Sequence, residues 1–166
     1  MNLVIIGNLI SLVGCLLMVA IGFIRKKEHI LAVQCLQFGI MGVGNLVLGA
    51  VSGTISNAVS IVRNLVFARW SSSLPLKVVF IILQVLLSLS ALQSSPLEWL
   101  PLLAAAIFTW FLDTKSEVIL KSVIIGTLLL WLVYDFCHLN YVAMTFDALS
   151  IVSNFIGILM LRKKTK

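Results

Sequence analysis

NAVSIVRNL (residues 57–65) and DALSIVSNF (147–155) lie 90 residues apart in a chain of 166 and share five identities in nine. Apolar identities carry little in so restricted an alphabet. The shared serine and second asparagine carry more, because both sit in stretches otherwise suited to hydrocarbon. A second match, KKEHIL at 26–31 against KSEVIL at 115–120, shares four of six residues at an offset of 89. Two near-equal offsets predict a duplicated unit. Residues 1–70 then form one three-helix repeat, 96–166 the other, and 71–95 a joiner helix.

Composition sets the class in which this repeat operates. With 61% apolar residues, 11% charged residues and a mean hydropathy of +1.15, the chain is too apolar for a soluble globule. Seven stretches reach the length of a bilayer-crossing helix, at roughly 3–24, 30–50, 53–69, 76–93, 97–112, 117–137 and 141–161. The breaks between them collect charge and turn residues: RKKEH at 25–29, SG at 52–53, WSSSLP at 70–75, QSSP at 93–96, DTKSE at 113–117 and HLNY at 138–141. The period-two alternation of a membrane β-barrel is absent. The expected fold is therefore an all-α polytopic bundle of seven transmembrane helices. A step of 90 residues crosses four spans, an even number, so the 3+1+3 repeat is parallel, with its pseudo-twofold along the membrane normal.

Eleven of the twelve lysines and arginines fall at one face of this arrangement, and the twelfth, Arg63, is inside the third span. Short cytoplasmic loops accumulate such residues, which predicts an outside N terminus and a cytoplasmic C terminus. The net charge of +6 is this bias, and no nucleic-acid partner is needed to explain it. Met1-Asn2 supplies no basic n-region, so a cleavable signal peptide is not expected. Cys15, Cys35 and Cys137 have neither metal nor disulfide spacing. Asp135, His138 and Asp147 form no hydrolase or metal pattern. No enzymatic role, metal or cofactor is expected.

At about 100° per residue, Asn57, Ser60 and Asn64 share one narrow face of the third span, and Asp147, Ser150 and Asn154 share the equivalent face of the seventh. Polar groups within a bilayer generally face a bundle interior or a wet cavity. A twofold along the normal sets the two stripes opposite each other across a central site. The alternative is that they join helices by hydrogen bonds. Arg63 lies about 9 Å of helix from Arg69 at the cytoplasmic edge, so it either snorkels there or has a gating or anion-contact role on the inner side. MGVGN at 41–45 is the candidate flexing segment. Gly7, Ser11 and Gly14, Gly39 and Gly42, and Ala104 to Ala106 are candidate packing faces, and Trp70, Trp99, Trp110 and Tyr141 candidate interfacial anchors.

This order of helices, with a polar third helix in each half, resembles the SWEET and PQ-loop transporter superfamily. NAVS at 57–60 and DALS at 147–150 stand where SWEETs carry the Asn-x-x-Gly whose asparagines line the sugar site. A closer resemblance is to the YgjV-type family of bacterial inner-membrane proteins, through the basic loop after span one, IVRNLVFAR at 61–69, LPLLAAAIFTWF at 100–111 and the pair Ser150 and Asn154. The resemblance implies a facilitator that moves a small polar metabolite through the bacterial inner membrane by alternating access. The competing expectation is a non-transporting scaffold or regulator. Departures are the missing hinge prolines, the missing Pro-Gln pair, and Asp147 in place of asparagine, which suits a cationic or proton-coupled substrate or an ion pair with Arg63. The expected partners are the bilayer and a small polar substrate, with a homo-oligomer left open.

Overall fold

The computed structural model describes residues 2–70, 73–92 and 95–164. Ser71, Ser72, Gln93, Ser94 and Lys166, which belong to the expected loops and to the basic C-terminal run, lie outside the described residues. Within them the chain forms seven α-helices and no strand: α1 Leu3–Ile21, α2 Lys27–Val47, α3 Val51–Arg69, α4 Leu74–Leu92, α5 Trp99–Phe111, α6 Glu117–Cys137 and α7 Tyr141–Lys164. A 3-10 turn at Pro96–Glu98 leads into α5. Four helices, α1, α2, α6 and most of α7, are long and apolar enough to cross a membrane by length and composition. Large apolar side chains cover their outer faces, including Leu9, Leu16, Leu129 and Phe155.

Six helices close a ring. α1 packs on α2, α2 on α3, α3 on α5, α5 on α6, α6 on α7, and α7 returns to α1. α4 stands outside and touches α3 and α5. Its outer face is apolar (Val79, Ile82, Leu86), and its inner face docks through Gln84, whose amide nitrogen Nε2 donates to Ser56 Oγ at 2.7 Å.

Two connections are near copies. α2 and α6 are each 21 residues long and begin 90 residues apart. Both end in a turn with a left-handed residue, Gly49 (φ 75°) and Leu139 (φ 58°). The three turn hydrogen bonds of the first, Leu48 N to Gly44 O at 3.1 Å, Gly49 N to Leu46 O at 3.2 Å and Ala50 N to Asn45 O at 2.9 Å, recur with the same lengths at His138, Leu139 and Asn140. KKEHIL and KSEVIL are therefore one residue out of step with the helices they begin. The expected break at Ser52-Gly53 is also displaced. The chain turns at Gly49, where glycine enters the left-handed region without a Cβ clash, and Ser52 and Gly53 lie inside α3.

MGVGN is regular, tightly packed helix within α2. Gly44 faces Gly7 and Ser11 of α1, and Gly14 faces Met41, so these small residues let α1 and α2 approach closely. A comparable approach joins α1 to α7, where Gly157 lies against the carbonyl oxygen of Gly22 and Gly22 against Ser153. The C-terminal carbonyls of α1 are held by a buried ammonium: Lys121 Nζ donates to Gly22 O at 2.8 Å and to Ile24 O at 3.0 Å. Lys77 does the same at the end of α5, donating to Trp110 O at 2.8 Å and pairing with Asp113 at 2.6 Å. That bond to Lys77 holds the exposed Asp113 carboxyl below its ordinary value.

Candidate functional site

The ring encloses a cavity of about 70 Å³, lined by α1, α2, α3, α5, α6 and α7. That is room for a few water molecules or a small ligand group, since one water needs about 10–15 Å³. Both polar stripes reach it. Asn57 and Ser60 line it from α3, and Asp147 and Asn154 from α7. Ser150 is fully buried beside them, and Asn64 is turned away, donating from Nδ2 to Gln34 Oε1 at 3.2 Å.

Arg63 also lines the cavity and is 2% exposed, so it does not snorkel. Nor does it pair with Asp147; among the described residues it has no carboxylate partner. Its Nε and Nη2 donate to Asn64 Oδ1 at 3.1 and 3.0 Å, and Nη1 donates to Thr109 Oγ1 at 3.1 Å and Ala105 O at 3.4 Å. The guanidinium lies 4.7 Å from the centre of the Phe108 ring. Every one of these partners is neutral.

Across the cavity, Asp147 meets Asp135 of α6, a residue given no place in the site by the sequence reading. Both residues line the same cavity and both are buried. Asn140 Nδ2 donates to Asp135 Oδ1 and to Asn45 Oδ1, each at 3.3 Å. Asp147 Oδ2, Asn154 Oδ1 and Ser150 Oγ are buried without a partner. Buried polar atoms are rarely left so, and each such group asks for an explanation. Gln34, Gln37, Thr127 and Trp131 complete the polar lining.

The two ends of the bundle close differently. At the basic end, Ile21, Ile30, Leu31, Phe67, Leu112 and Leu120 belong to one packed apolar cluster. At the far end the ties are polar. Gly53 N donates to Tyr134 Oη at 3.1 Å, Tyr134 Oη donates to Glu98 Oε2 at 3.3 Å, and His138 Nε2 lies 2.9 Å from Glu98 Oε1. Asn8 of α1 joins this end by accepting from Val142 N at 3.0 Å and donating to Leu139 O at 3.2 Å.

A family model described as a bacterial inner membrane protein matches residues 5–165. No curated protein and no solved structure matches the chain.

Proposed function

The chain belongs to the Imp-YgjV family of bacterial inner membrane proteins, and from that premise we propose that it is a facilitator of a small polar metabolite, working by alternating access around the central cavity. The observation that carries this reading is the cavity itself: polar residues of α3 and α7 converge on one buried space in the middle of a membrane protein. Polar stripes that served only to join helices would spend their hydrogen bonds on one another. Here Asp147 Oδ2 and Asn154 Oδ1 stay unpaired.

In this proposal all seven helices cross the membrane. The polar stripe of α3 lowers its hydropathy, and α4 and α5 are shorter apolar helices at Leu74–Leu89 and Pro96–Phe111. The halves are duplicated three-helix units joined by α4, in the SWEET-like manner. The copied turns after α2 and α6 support this, as does the ring, in which exchanging α1, α2 and α3 for α5, α6 and α7 maps each neighbour pair onto another. The basic end is cytoplasmic. The apolar cluster closes that side, and the polar ties of Tyr134, Glu98 and Asn8 close the other. The proposal gives the chain no catalytic step.

Accessibility of the cavity tests this without knowing the substrate. Cys15, Cys35 and Cys137 are replaced, Ser60→Cys is introduced, and a membrane-impermeant thiol reagent is applied to right-side-out and inverted vesicles. Alternating access expects modification from both sides, slower across the apolar end. A thiol that reacts after denaturation but from neither side of the folded protein, or from one side alone, overturns the reading.

A further inference from the structure

We infer that the cavity binds a small amino carboxylate, with its carboxylate on Arg63 and its ammonium group on the Asp147 side; this deepens the transport reading and rests on it. The first observation is the charge left unbalanced. A guanidinium has five N–H donors, and Arg63 uses four, all on neutral acceptors. A buried cation without a counter-charge is costly, and a bound carboxylate would supply both the charge and the remaining acceptor.

The second observation comes from the other wall. Asp147 Oδ2 and Asn154 Oδ1 are both acceptors, both buried and both without a donor. Asp135, next to Asp147, already takes its donor from Asn140. The α7 wall therefore holds two unpaired acceptors beside the one unpaired hydroxyl of Ser150, while Arg63 on the α3 wall has a donor to spare. A neutral sugar or polyol would leave Arg63 uncompensated, a simple amine would add to its charge, and a plain carboxylate would leave the acceptors unpaired. A zwitterion satisfies both walls and adds no net charge to the cavity.

The third observation is where the two halves differ. At equivalent positions 90 residues apart, Asn45 stands against Asp135, Asn57 against Asp147 and Arg63 against Ser153. All three exchanges polarise the cavity in one sense, cationic on the first half and acidic on the second. Arg63 and Asp147 line one cavity of about 70 Å³, which holds only a small ligand and favours an amino group one or two carbons from the carboxylate.

The test is calorimetric titration of the purified full chain in lipid nanodiscs with glycine, alanine and β-alanine. The comparison probes are glycolate, lactate and 3-hydroxypropionate, then propionate and ethylamine. The expected result is that at least one amino carboxylate binds at least about tenfold tighter than its hydroxy and deamino counterparts, the ratio set by one charged hydrogen bond. Arg63→Lys, with folded yield unchanged, is expected to weaken that ligand about tenfold or more by removing the planar fork. Asp147→Asn is expected to narrow the gap between alanine and lactate. The inference is overturned if no amino carboxylate binds saturably below about 1 mM, the weak end of ordinary substrate constants, or if lactate or propionate binds as well as alanine. Counterflow into proteoliposomes separates the two readings. Binding without passage leaves the ligand assignment standing and removes transport, whereas passage of a solute lacking a carboxylate does the reverse.

Discussion

Replacing Gly157 by alanine tests the packing that joins the last helix to the first. A methyl group at 157 would overlap the carbonyl oxygen of Gly22 and stand 3.2 Å from Lys121 Cε. The carbonyl has nowhere to retreat, because Lys121 Nζ holds it at 2.8 Å and caps the end of α1 through it. Overpacking of this kind costs about 1–3 kcal/mol, and loss of one hydrogen bond to a charged group adds about 1.5–3 kcal/mol. With partial relaxation, the expected loss is about 2–4 kcal/mol. At about 2–4 °C per kcal/mol for a chain of this size, the melting midpoint of the purified protein in detergent should fall by roughly 5–15 °C. Gly126 is the control, since nothing lies within 4 Å of a Cβ built there. Gly126→Ala should be neutral or stabilising by up to about 1 kcal/mol, the helical cost of glycine. A Gly157→Ala protein as stable as wild type, or indistinguishable from Gly126→Ala, would refute the close α1–α7 approach.

Two further substitutions probe the far end. Tyr134→Phe removes the acceptor of the Gly53 amide in the first turn of α3. Leaving that buried donor unpaired should cost about 1–3 kcal/mol, and hydrogen exchange at Gly53 should accelerate; an unchanged exchange rate would contradict the bond. Leu139→Gly releases an exposed leucine from φ 58°. The left-handed conformation costs a non-glycine residue about 1–2 kcal/mol, offset in part by the extra freedom of glycine in the unfolded chain, so a net gain of up to about 1 kcal/mol is expected. A lower melting midpoint would count against this geometry.

Much of the helix layout was legible because hydropathy is a one-dimensional signal. The spans fell within a few residues of the helices, and the two polar stripes were drawn to one cavity by their 3.6-residue periodicity. Boundaries failed where a backbone preference competed with composition. Gly49 ends α2 ahead of Ser52-Gly53 because a left-handed residue closes the turn, and glycine reaches that conformation without strain. The site was half legible. Asp135 was missed although its signal was present: aligned at an offset of 90, Asn45 becomes Asp135 just as Asn57 becomes Asp147. Both exchanges replace an amide by a carboxyl group. The fate of Arg63 was not legible, since whether a long cation snorkels or turns inward depends on Thr109 and the Ala105 carbonyl. Both belong to α5, more than 40 residues away.

Arg63 of α3 and Ser153 of α7 lie 90 residues apart, and they pack in contrasting ways at two junctions of the ring. Ser153 is small enough for Gly22 to lie directly on it, and its hydroxyl donates to Val19 O at 3.3 Å, so α7 and α1 close backbone to backbone. At the matching junction Arg63 lies between α3 and α5, its guanidinium stacked on Phe108 and bonded to Thr109. α3 and α5 share a less extensive contact than α1 and α7, and α4 packs on both from outside. One substitution thus does two things in the proposed duplication. It places the cavity's cation, and it joins α3 to α5 through a side chain where α7 and α1 meet backbone to backbone. A ligand that draws on Arg63 therefore acts at the α3–α5 seam.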